Sequence, residues 1–209
     1  MNRLGLSPQA VAMVTHEDKL MMAYRIAGQH QLAGFGVRPL APVESLFQLQ
    51  LHESAVNNLL ENLGLDGRRD NLPALWQEIA DSLGMETAAV PTEVPGDVII
   101  ELAPTSAMNI RFEQGVLRLQ LNLRELRQGN RNSWRNFSIV ALYRPAGTGE
   151  QASLVRDGHL NVIGRSIRLG DRIVLQGIFN KVFSRARPIT VPPAGLPPHP
   201  ALAHPPLHP

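Results

Sequence analysis

The sequence has no cysteine, few aromatic residues and very little lysine, and each absence narrows what the chain can do. Without cysteine, the chain can form no disulfide, no zinc–thiolate site and no catalytic thiol. Aromatic residues make up only 5% of the chain, so a core must be built mainly from aliphatic side chains. Because 44% of the residues are hydrophobic, we expect a folded domain rather than a disordered chain.

Long hydrophobic runs are also missing. No apolar stretch approaches the roughly 18 residues that a helix needs to cross a bilayer. Residues 1–12 contain one arginine but no sustained apolar stretch, so they do not have the pattern of a signal peptide. We therefore expect a soluble protein, and the sequence does not identify its cellular location. A signal sequence upstream of this segment in a longer protein would indicate the cell envelope.

Basic residues are concentrated in the second half of the chain. Residues 1–110 hold 6 basic and 13 acidic side chains, whereas residues 111–209 hold 14 basic and 5 acidic ones. All the basic residues except Lys19 and Lys181 are arginine. The planar guanidinium suits phosphate and carboxylate groups, although arginine enrichment is equally typical of a GC-rich genome.

Hydrophobic periodicity predicts an α+β fold. A period of two marks half-buried strands, and apolar spacing of i, i+3, i+4 and i+7 marks helices packed on one face. Strands are predicted at residues 45–51, 97–102, 108–113, 116–124, 137–144, 152–156 and 159–163, with a further one possible at 19–27; helices are predicted at 55–63, 72–83 and 172–183.

Caps and turns refine this prediction. Ser54 is the expected N-cap of the first helix, and Asp171 that of the third. Glu113-Gln114-Gly115 predicts a short hairpin turn between the strands at 108–113 and 116–124. Asp157-Gly158 predicts a two-residue hairpin turn, and a polar loop is expected from Arg127 to Asn136. Gly177 interrupts a helix that is apolar over more than half its circumference and is expected to lie packed on the sheet, so this glycine suggests a close approach to the sheet.

The chain divides into three segments. Residues 1–43 form an N-terminal lead-in, polar and poorly ordered over 1–18. Residues 44–187 form the α+β domain, with a curved antiparallel sheet of about five to seven strands and three packed helices. Residues 188–209 include nine prolines and predict a disordered tail.

Two candidate binding surfaces lie on opposite faces of the strand at 116–124. One face is apolar and either packs in the core or lines an apolar ligand cavity. The other is basic and continues into a basic loop; it can bind phosphate groups of nucleic acid or lipid, or it can pair with the acidic N-terminal half. The apolar stripe consists of Leu117, Leu119, Leu121 and Leu123, and the basic set consists of Arg118, Arg124, Arg127, Arg131, Arg135 and Trp134.

Catalytic and metal-binding signals are weak. His52-Glu53 can support acid–base chemistry in principle, but no nucleophile is tied to the pair by spacing. Asp157 is explained by the turn, and histidines at 199, 204 and 208 lack a rigid frame for a metal. We predict no metal site and no cofactor, and an enzyme is the least favoured class of function.

Three segments carry a family resemblance: Gln50 to Ala55, Trp134 to Phe137 and Gly177 to Phe183. The stretch 44–187 resembles uncharacterised bacterial envelope proteins. A strand that runs directly into a helix with an Asn-x-x-Leu pattern, here Asn57 to Leu60, is similar to the opening of BPI-like tubular lipid-binding domains. That resemblance implies a curled sheet and a lipid-like ligand, although this chain has no long wrapping helix, and it implies no catalytic residue.

Together these patterns favour non-enzymatic binding of an apolar or amphipathic, lipid-like ligand, or a structural role at the cell envelope. The alternative is an anion-binding or nucleic-acid-binding module that uses the arginine-rich sheet face, with nucleic acid the less favoured partner. The patterns identify neither the ligand nor the oligomeric state.

Overall fold

The computed structural model describes residues 8–16, 19–26, 52–82, 96–130, 132–147, 153–183 and 186–188. Over these residues the predicted α+β class is confirmed, because three helices accompany antiparallel strands. The strands are β1 (Pro8–His16), β2 (Lys19–Ile26), β3 (Arg69–Asn71), β4 (Val98–Leu102), β5 (Met108–Glu113), β6 (Val116–Gln128), β7 (Asn132–Ala146), β8 (Ser153–Arg156), β9 (Asn161–Ile163) and β10 (Ala186–Pro188), and the helices are α1 (Glu53–Asn62), α2 (Leu72–Ser82) and α3 (Leu169–Val182).

A long hairpin of β6 and β7 forms the centre of the larger sheet. Its register runs from the pair Leu117 and Tyr143 to the pair Gln128 and Asn132. The predicted polar loop from Arg127 to Asn136 is therefore wrong, since both of its ends lie in strands. The strands extend this far because Leu126 and its cross-strand partner Trp134 are both buried.

A kink near the middle of this hairpin shifts which residues face the core. Leu123 and Leu126 are both buried although three positions separate them, and so are Trp134 and Phe137 on the partner strand. Between them Asn136 adopts a φ of 53°, in the left-handed region. The alternation of buried and exposed residues shifts at the same place in β6 and β7. The two strands therefore keep one pairing register, and the apolar face continues beyond the kink.

Each central strand carries two short strands along its outer edge. β4 and β5 both pair with β6, and β8 and β9 both pair with β7. The predicted hairpin at Asp157-Gly158 is therefore wrong, because the strands on either side of it pair with β7 rather than with each other. Asp157 donates its N–H to the Leu142 carbonyl at 2.8 Å, and Gly158 has a φ of 75°. The dipeptide forms a bulge along one edge.

The core lies between the leucine face of the sheet and two helices, α2 and α3. Leu75 of α2 and Phe179 of α3 are fully enclosed. The rings of Trp76 and Phe183 meet edge to face with centroids 5.7 Å apart, which joins the two helices above the sheet. Aliphatic side chains from the strands fill the rest of the core, as the low aromatic content predicts.

Helix ends differ in detail from the prediction. The N-cap of α1 is His52 rather than Ser54, and its Nδ1 accepts the Ser54 N–H at 3.1 Å. The N-cap of α3 is Arg168, which makes no side-chain cap, and Asp171 lies in the first turn. Gly177 is not a point of close approach, because a Cβ there would meet nothing within 4 Å.

Helix α1 covers the outer edge of β5. The side-chain amide of Asn57 donates to the Ile110 carbonyl and accepts the Ile110 N–H, both at 2.8 Å. Glu53 accepts the Phe112 N–H at 3.0 Å. These side chains take the place of a neighbouring strand for the Ile110 N–H, the Ile110 carbonyl and the Phe112 N–H.

Replacing Asn57 with alanine is expected to lower the free energy of unfolding by about 1–3 kcal/mol, because two backbone groups of Ile110 lose their partner. Chemical denaturation measures the change. Alanine also favours a helix more than asparagine does, so Asn62→Ala at the exposed end of the same helix is the matched control for that effect. Equal effects of the two substitutions would show that the edge contact adds nothing to stability.

The N-terminal segment contains a second, two-stranded sheet formed by β1 and β2. The expected strand at 19–27 corresponds to β2, but residues 8–16 pair with it as β1 and do not form the poorly ordered lead-in that was predicted. Large apolar side chains on both faces of this hairpin are about half exposed or more. The exposed set is Met13, Val14, Leu20, Met21, Met22 and Tyr24.

Three predictions fall outside the described residues: the strand at 45–51, the side chain of Arg131 and the disordered tail from residue 189 onward. Pro188, the first residue of the predicted tail, ends β10, whose register places it opposite Ser153 of β8.

Candidate functional site

The predicted leucine stripe lies on the core face of β6. Leu121 and Leu123 are buried, and Leu117 and Leu119 are partly buried against the same core cluster. Neither of the two open pockets described below is lined by one of these leucines. The geometry thus accounts for the stripe by packing, and a ligand cavity along it stays a prediction.

The predicted arginine face carries its own counter-charges. Trp134 is only 8% exposed, so its ring is not presented for stacking. Arg118 donates to the Gln120 side chain at 3.2 Å. Ion pairs join Arg124 to Glu101 at 3.0 Å, Arg127 to Glu125 at 3.0 Å and Arg135 to Glu125 at 2.9 Å.

Glu125 is the centre of this charge cluster. It is 7% exposed and accepts hydrogen bonds from Arg127, Arg135 and the Ser133 hydroxyl. These bonds, with Arg127 the strongest, outweigh the cost of removing the carboxylate from water and lower the pKa of Glu125 to about 2. The cluster thus fixes the middle of the β6–β7 hairpin electrostatically.

The low pKa of Glu125 predicts a specific acid sensitivity. Its folded-state pKa of about 2 lies below the ordinary value of 4.5, so its stabilisation is complete above pH 4.5 and is lost as the pH falls toward 2. We expect Glu125→Gln to lower the melting temperature near neutral pH. The melting temperature of the variant should also fall less steeply than that of the wild type between pH 4.5 and pH 2. Thermal melts across that range measure the effect, with Glu113→Gln at an exposed site as the control. An unchanged pH slope would contradict the assignment.

The outer side of α3 exposes apolar residues. Its buried side consists of Leu175, Ile178, Phe179 and Val182. Leu169 is 77% exposed, Ile173 65% and Val174 44%. The prediction that this helix lies packed on the sheet holds for its buried side, whereas the apolar residues on its outer side are exposed.

Arginines surround these exposed apolar residues. Arg165, Arg168 and Arg172 are exposed, and none of them forms an ion pair with a residue that the structure describes. Asp171, the acidic residue of the first turn, is partly buried. We refer to Leu169, Ile173 and Val174 together with Arg165, Arg168 and Arg172 as the α3 surface.

An open pocket of about 700 Å³ adjoins this surface where β9 turns into α3. Asn136, Ile163, Arg165, Ser166 and Arg172 line it, and we call it the α3 pocket. Its turn is closely packed at one lining residue, Gly164: a Cβ there would lie 2.8 Å from both the Phe137 Cβ and the Ile167 Cγ1. A larger residue at that position would force the turn away from the sheet.

A second open pocket, of about 620 Å³, lies at the end of the β5–β6 hairpin. Its polar lining includes Glu113, Arg118 and Arg144. Arg144 is already paired with Asp157 at 2.7 Å. With a carboxylate in its lining and one guanidinium neutralised, this pocket is less suited to an anion than the α3 pocket.

Sequence reasoning missed the α3 surface, although its signal was present. Leu169 and Ile173 are spaced by four, so both fall on one side of α3, and Arg165 and Arg168 lie in the segment that leads into the helix. Ile173 and Val174 were assigned to the packed apolar face of the predicted helix, and Leu169 lay before its predicted start, so the arginines were not linked to an exposed apolar surface.

The other candidates serve structural roles. His52 caps α1, and Glu53 accepts a backbone N–H of β5. Asp157 accepts the Arg144 side chain. Over the described ranges, no group of three or more His, Cys, Asp or Glu residues is placed to hold a metal ion.

Comparisons with protein-family models, with curated proteins and with solved structures find no match for this chain. Among the helices that the structure describes, none has the length and apolar character needed to cross a membrane.

Proposed function

We propose that the protein is a non-enzymatic binding protein for anionic amphiphiles and makes peripheral contact with a lipid surface through the α3 surface. One observation carries the proposal: the highly exposed Leu169 and Ile173 lie among three arginines that no described carboxylate neutralises. In water this arrangement exposes apolar area at a cost of about 25 cal/mol per Å². A bilayer containing anionic lipid satisfies both parts of the surface.

The two kinds of residue act at different depths of such a surface. Leu169 and Ile173 can enter the boundary between headgroups and acyl chains, as on amphipathic helices that lie in the interface plane. The arginines stay at the level of the phosphates, where each basic residue near an anionic leaflet contributes about 1 kcal/mol. Three cations and three apolar side chains support reversible, salt-sensitive binding.

The structure favours this surface over the arginine-rich sheet face as an anion site. On the sheet face, Arg124, Arg127 and Arg135 are held by carboxylates at 3.0 Å or less. An incoming phosphate would have to displace those partners. Nucleic acid would also leave Leu169 and Ile173 without a role, because a phosphodiester backbone offers them no apolar partner.

Vesicle sedimentation tests the proposal directly. We expect the protein to sediment with vesicles that contain phosphatidylglycerol and to stay in solution with pure phosphatidylcholine vesicles. Binding should weaken as salt is added, because screening acts on exposed charges. Equal binding to both kinds of vesicle, or binding to a DNA duplex with no binding to vesicles, would overturn the proposal.

A further inference from the structure

We infer that the α3 pocket is a binding site for the phosphate group of a single amphiphile. The inference rests on the proposed function and deepens it, because it assigns one headgroup to one set of side chains. A flat basic surface attracts any anionic membrane, whereas a pocket with fixed donors selects the chemistry of the group that enters it.

The polar lining of the pocket consists of donors suited to phosphate. Arg165 and Arg172 line the pocket, and a guanidinium offers N–H groups in a planar fork that matches two phosphate oxygens. The Ser166 hydroxyl and the Asn136 side chain add neutral donors. Among the described residues that line the pocket there is no carboxylate, which distinguishes it from the pocket at the end of the β5–β6 hairpin.

The backbone around the pocket is held in place by packing. Gly164 lies so close to Phe137 and Ile167 that no side chain fits there, which fixes the start of the turn bearing Arg165 and Ser166. On the other wall, Asn136 adopts its left-handed conformation at the kink of β7. A pre-formed backbone reduces the ordering cost of binding.

The apolar part of the lining indicates that the ligand is more than a free anion. Ile163 is 52% exposed and lines the pocket together with Val162. Ile173, 65% exposed, directly follows Arg172 in α3. Inorganic phosphate would use only the polar half, whereas an alkyl phosphate would cover Ile163 as well.

Isothermal titration of the full chain with three probes tests the inference. Monododecyl phosphate, below its micelle concentration, is expected to bind more tightly than inorganic phosphate by at least about tenfold, because the chain adds buried apolar area. Dodecyltrimethylammonium, with the same chain and the opposite charge, is expected not to bind. Inorganic phosphate binding as tightly as the alkyl phosphate would show that the site takes a free anion and would overturn the amphiphile assignment.

Substitutions locate the site. Arg165→Gln and Arg172→Gln should each weaken monododecyl phosphate binding by about tenfold, the value of one lost charge-assisted contact. Arg172→Lys keeps the charge but loses the planar fork, so it should also weaken binding. Arg111→Gln on β5 removes the same charge from an exposed position away from the pocket and is the control. An equal loss in Arg111→Gln would show that net charge, rather than the pocket, governs binding.

The two proposals can fail separately. If vesicles containing phosphatidylglycerol sediment the wild type but monododecyl phosphate does not bind, the lipid surface stands and the pocket assignment is overturned. If the alkyl phosphate binds through Arg165 and Arg172 but no vesicle is bound, the pocket stands as a site for a single amphiphile and the peripheral membrane contact is overturned.

Discussion

Replacing Phe179 with alanine is expected to lower the free energy of unfolding by about 3–5 kcal/mol, the usual cost of deleting a fully buried aromatic side chain. Phe179 is completely enclosed, and its ring centroid lies 6.2 Å from that of Phe183. The space left behind is bordered by α2, α3 and the sheet, so few side chains can relax into it. Urea denaturation followed by circular dichroism measures the change.

Ile173→Ala is the matched control, because it removes an aliphatic side chain from the same helix on its outer side. With Ile173 65% exposed, the expected change is within about 0.5 kcal/mol. Comparable losses at the two positions would mean that the outer side of α3 is covered in the folded protein, and the α3 surface would then not be available to a ligand.

The second large effect concerns binding. The double substitution Leu169→Ser and Ile173→Ser is expected to reduce binding to phosphatidylglycerol vesicles by far more than tenfold, because fully burying each side chain contributes about 1.5–3 kcal/mol. Their exposure means that the fold should survive. Sedimentation over a range of lipid concentrations gives the partition coefficients of the wild type and of the double variant.

The control for this experiment uses the other exposed apolar surface of the molecule. Leu20→Ser together with Met22→Ser removes two exposed apolar side chains from the β1–β2 hairpin. This pair should leave vesicle binding unchanged. Loss of binding in the hairpin variant with retention in the α3 variant would move the lipid contact to the hairpin and refute the assignment to α3.

Sequence reasoning recovered the strands whose pattern is local. The turn at Gln114 and Gly115 has positive φ at both positions, 50° and 76°, and the alternating strands on either side of it pair as predicted. Gly158 also has a positive φ, but there the same signal marks a bulge. A glycine reports the local backbone conformation, whereas the pairing partner, here β7, is decided by packing elsewhere.

The extent of β6 and β7 could not be read from the sequence for a related reason. The kink at Asn136 changes the alternation in both strands, so a strict period of two ends near residue 124 although the strand continues to Gln128. Polar residues beyond that point resemble a loop. Glu125 and Arg135, ten residues apart, become partners only when the hairpin closes.

The candidate site was missed because periodicity does not show how much of a helix its neighbours cover. Both sides of α3 carry large apolar residues, so the sequence does not show which side is buried. Phe179 is buried and Ile173 is exposed because only the side with Phe179 packs against the sheet. The same holds for the two kinds of arginine: Arg124 and Arg172 have equal charge, but among the described residues only Arg124 forms an ion pair with a carboxylate.

The arrangement of short strands along β6 and β7 also has a consequence for how the chain folds. β4, β5, β8 and β9 all pair with the strand of the central hairpin that is nearest to them in sequence. Because closing short loops costs little entropy, these pairings can form early and rapidly. The contact of Asn57 with Ile110 spans 53 residues and must form later. In pulsed hydrogen exchange during refolding, amides of β6 and β7 should therefore gain protection before the Ile110 amide, whose N–H donates to Asn57 of α1.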